Sequence, residues 1–125
     1  MGSSISPAEY LRRRIGILES QISQIDAEIE SRRKDHERIM TAFADAKQSY
    51  TSALYDEYAL QEFSLGKDYT ERKQRMHQII RGVNTGIFDE VRTYKAFLKS
   101  LNSERRSVSK EMNLLSLKLQ MLEEQ

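Results

Sequence analysis

Residues 11–29, LRRRIGILESQISQIDAEI, set Leu11, Ile15, Leu18, Ile22, Ile25 and Ile29 at alternating steps of four and three. An α-helix turns once every 3.6 residues, so this spacing keeps the six apolar side chains on one narrow stripe, the seam of a coiled coil. Followed outward, the alternation continues unbroken through Arg32, His36, Ile39, Phe43, Ala46, Tyr50 and Ala53. A second seam with the same rhythm runs through Ile87, Val91, Tyr94, Leu98, Leu101, Arg105, Val108, Met112, Leu115, Leu119 and Leu122. Two stripes of this length each need a partner, and each supplies one for the other.

Start and stop signals bound the two helices. Ser6-Pro7-Ala8-Glu9 offers a capping serine, a proline at the first helical position and a glutamate three residues past the cap. No proline follows, and the first strong stop is Gly66 in Phe63-Ser64-Leu65-Gly66-Lys67-Asp68, with Asp68 and Glu71 as a second capping box. The expected fold is therefore all-α: a flexible tail over residues 1–6, a helix over 7–63, a loop over 64–68 and a helix over 69–124, closed into an intramolecular antiparallel coiled-coil hairpin. Pairing Leu18 with Leu115, Ile22 with Met112 and Ile25 with Val108 centres the hairpin on Gly66 and Lys67. In that register Arg32 and His36 meet Leu101 and Leu98, and Arg105 meets Ile29, with Glu28 and Glu104 as the expected counter-charges. Gly82 and Gly86 fall opposite Ala44, Ala46 and Ser49, which reads either as close helix approach or as a break in the second helix.

Composition fits this reading and excludes others. Only 38% of the 125 residues are hydrophobic against 31% charged, with one proline and five glycines, a balance suited to one buried stripe per helix. No run approaches the roughly 18 apolar residues of a membrane span. The chain has no cysteine, which removes disulfides, thiolate metal sites and thiol catalysis. Residues 1–66 hold 8 basic and 11 acidic side chains and residues 67–125 hold 12 and 8, so a net charge of +1 conceals an acidic helix beside a basic one. A dedicated nucleic-acid binder needs a basic excess that is missing here. His36 and His77 have no companion ligands at metal-site spacing, and no nucleophile, histidine and acid are grouped. Neither an enzyme, a cofactor, a metal site nor a small-molecule substrate is expected. Arg33, Lys34, Arg38, Lys99 and Arg106 form a basic girdle, read chiefly as a solvated surface. Arg12, Arg13 and Arg14 form the only basic run, at the end where both termini meet, and read as a contact.

In size, in its heptad hairpin with paired termini, in Arg12-Arg13-Arg14-Ile15 followed by Leu18, and in the short loop from Phe63 to Asp68, the chain resembles the central stalk proteins of type III secretion systems. These are flagellar FliJ and the injectisome proteins of the YscO, SctO and EscO type. The resemblance spans nearly the whole chain and is one of form, because the family has no catalytic motif. It implies a cytoplasmic protein at the face of the secretion apparatus, touching the membrane only through partners. The paired ends, with Arg12, Arg13, Arg14, Glu19, Lys118 and Glu124, would enter a homohexameric secretion ATPase and stimulate hydrolysis. The loop end, with Phe63, Leu65 and Tyr69, would face the export gate, and secretion chaperones are further implied partners. A small helical secretion adaptor, such as a type VII toxin targeting partner, is the alternative. It lacks support from a WxG turn, since the chain has no tryptophan, and from a Tyr-x-x-x-Asp/Glu signal in the C-terminal tail.

Overall fold

The computed structural model describes the backbone of residues 5–59 and 67–124, and the side chains of residues 5–56 and 70–124. The fold is the all-α hairpin expected, built from α1 (Pro7–Ala59) and α2 (Lys67–Glu123) running antiparallel. The Ser6 hydroxyl caps α1, accepting the Glu9 backbone N–H at 3.1 Å, while the Ser6 carbonyl takes the Tyr10 N–H at 3.0 Å. Glu9 does not close the capping box, because its carboxylate accepts from Arg13 one turn on. α2 already begins at Lys67, so the backbone at Lys67 and Asp68 is helical and not part of a loop ending at 68. Residues 60–63 of the expected first helix, Gly66 and the loop residues 64 and 65 lie outside the described residues.

The contacts group into two units, one formed by Met1–Arg32 with Ala96–Gln125 and the other by Arg33–Lys95. In the first unit the seam buries Leu11, Leu18, Ile25 and Leu101, with Leu18 only 1% exposed. In the second, His36 stacks on Tyr94 with ring centroids 4.0 Å apart and planes 9° from parallel. Among the described residues no glycine has a positive φ, and α2 passes through Gly82 and Gly86 without a break.

The second unit corrects the expected register by one helical turn, and in the first unit Arg105 finds a different partner from the one expected. His36 lies beside Tyr94, four residues before the expected Leu98. Arg105 binds Asp26, three residues before the expected Ile29, and neither Glu28 nor Glu104 is its counter-charge. Gly86 faces Phe43 and not the small residues Ala44, Ala46 and Ser49. Chain direction is the reason. Along α1 the seam steps three residues from His36 to Ile39 and four from Ile39 to Phe43. Read backwards, α2 steps three from Tyr94 to Val91 and four from Val91 to Ile87. Setting His36 at Tyr94 matches three with three and four with four, whereas setting Ile25 at Val108 opposes three with four and puts the layers out of step.

Candidate functional site

The N-terminal part of α1 and the C-terminal part of α2 carry the arginine run and its carboxylate partners. All three arginines of the run have carboxylate partners. Arg12 donates to Glu123 across the helices at 2.6 Å, Arg13 donates to Glu9 at 3.0 Å on its own helix, and Arg14 donates to Glu111 across the helices at 3.1 Å. The run is thus not a set of unengaged cations awaiting a contact. Two of its members tie the helices together, and each keeps a solvent-facing surface, with side chains 57, 62 and 38% exposed in order. Exposed pairs of this kind contribute about 0.2–1 kcal/mol each.

Glu19, Lys118 and Glu124 are exposed on the same unit. Glu124 accepts a long hydrogen bond from the Gln120 amide at 3.5 Å, and its backbone N–H donates to the Gln120 carbonyl. Lys118 lines an open depression of about 300 Å³ with Leu11, Met121 and Leu122. Phe63 and Leu65 lie outside the described residues, as does the side chain of Tyr69.

Deeper in the first unit, Arg105 donates to both oxygens of Asp26, from Nε at 2.7 Å and from a terminal nitrogen at 3.2 Å. These bonds, helped by the guanidinium charge, hold the Asp26 carboxyl below the usual aspartate range against a smaller effect of desolvation. The same carboxylate raises the Arg105 pKa. A polar residue at a seam position is here satisfied from the flank, the bidentate geometry that arginine favours. In the second unit, His36 Nδ1 lies 3.0 Å from Glu90 Oε1, with both side chains largely covered, at 18 and 12% exposed. This cluster of imidazole, phenol ring and carboxylate is a polar layer of the core. Two of the girdle arginines are engaged as well: Arg33 pairs with Glu37, and Arg38 with Asp35 at 2.7 Å.

Among the described residues no group of three or more His, Asp or Glu side chains is arranged to hold a metal. The depression lined by Lys34, Glu37, Arg38, Thr41, Ala42 and Asp45 is walled by α1 alone and cannot shield a substrate from water. No described helix is long and apolar enough to cross a membrane.

One feature escaped the sequence reading. Tyr10, Ile17, Leu114, Leu117 and Met121 are 51–65% exposed, all in the first unit and all off the seams. The signal was present in the spacing: Tyr10 and Ile17 are seven apart, and Leu114, Leu117 and Met121 follow steps of three and four. Each helix carries a much longer seam, beside which this short series reads as scattered surface apolar residues. No protein family, curated protein or solved structure matches this chain.

Proposed function

We propose that the chain is a non-enzymatic central stalk of a type III secretion system. In this reading its paired terminal ends insert into the homohexameric secretion ATPase, stimulate hydrolysis and couple it to the export gate. The observation that carries the reading is the cross-helix tying of those ends: Arg12 to Glu123 and Arg14 to Glu111 bind the first turns of α1 to the last turns of α2. A tip built this way enters a pore as one body, and the exposed faces of its ion pairs remain available to the pore wall. A single hairpin inside a sixfold ring meets successive subunits with different faces, so its charge pattern biases them into different states. No catalytic group is required of it. The protein then acts in the bacterial cytoplasm, and secretion chaperones are further candidate partners.

Phosphate release by the hexameric ATPase of the secretion apparatus, with and without this protein, tests the proposal. The triple variant Arg12→Gln, Arg13→Gln and Arg14→Gln removes the cations without setting like charges against Glu123, Glu9 and Glu111. The expected outcome is a helical protein by circular dichroism that has lost at least nine-tenths of its stimulation, a tenfold effect or about 1.4 kcal/mol. Full stimulation by the variant, or none by the natural sequence, refutes insertion of this end.

A further inference from the structure

In the second unit the charges are shared unevenly between the two sides of the helix pair. Side chains one position past each seam residue fall on the same lateral face of both helices, because the chains run in opposite directions. Over residues 33–47 and 81–95 that face carries Arg33, Lys47, Arg81, Arg92 and Lys95 and one carboxylate, Glu37, which Arg33 already holds. The other side of the same span carries Asp35, Asp45 and Glu90 with Arg38. Arg92 pairs with Asp89 at 3.1 Å, whereas Lys47, Arg81 and Lys95 make no ion pair among the described residues. Phe88 stands at the centre of the basic face, 67% exposed, with the Arg92 guanidinium 6.0 Å from its ring centroid. With His36 set at Tyr94, the half-buried Met40 on α1 comes within about 3 Å of level with Phe88 at 1.5 Å per residue. One heptad away, about 10 Å along the axis, Arg33 and Lys95 stand on one side of this apolar level and Lys47 and Arg81 on the other.

We propose that this face docks an acidic amphipathic α-helix of a partner protein, with an apolar side chain on Phe88 and Met40 and carboxylates reaching the cations a heptad to either side. The inference is independent of the stalk reading, which concerns the paired terminal ends. Charge complementarity selects an anionic partner, since three outward cations have no counter-charge of their own. Spacing selects a helix: a helix laid along the groove between α1 and α2 brings carboxylates seven residues before and after its apolar anchor to the two cation levels. A nucleic acid fits less well. Residues 33–95 hold 11 basic and 10 acidic side chains, a net charge of +1 that provides no general attraction for a polyphosphate backbone. A bilayer fits less well too, because Phe88 is the single exposed large apolar side chain of this face over that span.

Amide NMR of the full chain titrated with a synthetic helical peptide tests the inference. The probe is about 21 residues, mainly alanine and glutamine, with a central leucine and, on each side, glutamates about four and about seven residues away. Amide shifts are expected to concentrate at residues 40–47 and 81–95, with a dissociation constant on the order of 0.1–1 mM at low salt that weakens at least threefold at about 0.3 M salt. A peptide with lysine at every glutamate is expected not to bind. Phe88→Ala should weaken binding at least threefold, as should the double variant Lys47→Glu with Arg81→Glu, and that double variant should regain affinity for a peptide carrying lysines on one arm only. All three residues are exposed, so these variants should keep the thermal midpoint within about 2 °C, whereas a purely structural role would lower it. Absence of binding at about 2 mM peptide, shifts centred outside this face, or equal affinity for the lysine peptide overturns the inference. So does tighter binding at this face by a single-stranded oligonucleotide or by vesicles of anionic phospholipid.

Discussion

Two glycines on one helix make a matched pair for testing the packing. Both Gly82 and Gly86 lie inside α2, and replacing either with alanine gains about 1 kcal/mol of helix propensity. At Gly82 an added Cβ meets no atom within 4 Å, so the gain is realised in full. At Gly86 it falls 2.7 Å from Phe43 Cζ and 2.8 Å from Cε1, far inside ordinary contact. The ring must retreat by about 1 Å or the helices must part, and overpacking of this kind costs typically 1–3 kcal/mol. Gly82→Ala should therefore raise the midpoint of thermal unfolding by about 3–6 °C. Gly86→Ala should leave it unchanged or lower it, for a difference of about 1–3 kcal/mol between the variants. Urea unfolding followed by circular dichroism measures both. Adding Phe43→Leu to Gly86→Ala removes the offending ring edge and should restore part of the propensity gain, so the two substitutions couple in a double-mutant cycle. Equal stabilisation by Gly82→Ala and Gly86→Ala, or additivity of Phe43→Leu with Gly86→Ala, would refute the close approach and with it the register that sets Phe43 on Gly86.

Further outcomes follow from the other contacts. Leu18→Ala, at the most deeply buried side chain of the first unit, should cost about 2–5 kcal/mol, read from the shift in urea midpoint. Asp26 has a depressed pKa in the folded chain, so its contribution is present above the unfolded value of about 3.9 and is lost as pH falls through the lower folded value. Carboxyl NMR should find Asp26 titrating below its ordinary range and returning to it in Arg105→Gln. His36→Ala removes the ring stacked on Tyr94 and the partner of the largely covered Glu90, and should cost about 1–3 kcal/mol, whereas Glu90→Gln keeps a hydrogen-bonding side chain beside the imidazole and should cost less.

The register shows how near a sequence can come to a packing detail. Ile25 against Val108 and His36 against Tyr94 both place seam on seam, so hydrophobicity alone accepts either. The distinction lies in the order of steps. Reversing one chain reverses its threes and fours, and only the pairing of His36 with Tyr94 brings equal steps opposite one another. That criterion lies in the spacing itself, which brings Phe43 within one residue of level with Gly86 and Arg105 within one residue of level with Asp26. The apolar strip of Leu114, Leu117 and Met121 was likewise legible as a second series of threes and fours. What was not legible was the engagement of the arginine run. Neighbouring arginines send their side chains in opposite directions along α2, Arg12 toward Glu123 and Arg14 toward Glu111. Long flexible side chains choose among several carboxylates within reach, and heptad position does not single one out.

By itself the sequence determined that this chain is two helices folded back on each other, because a 3.5-residue apolar repeat can be buried only against its like and Ser6 and Pro7 fix where the first begins. The tertiary structure decided which residues stand level with which. From that offset come the Phe43 contact at Gly86, the His36 layer with Tyr94 and Glu90, and an apolar face shared between Tyr10 and Ile17 on one helix and Leu114 and Met121 on the other. Periodicity survives a shift of one helical turn unchanged, whereas the identity of every partner changes with it.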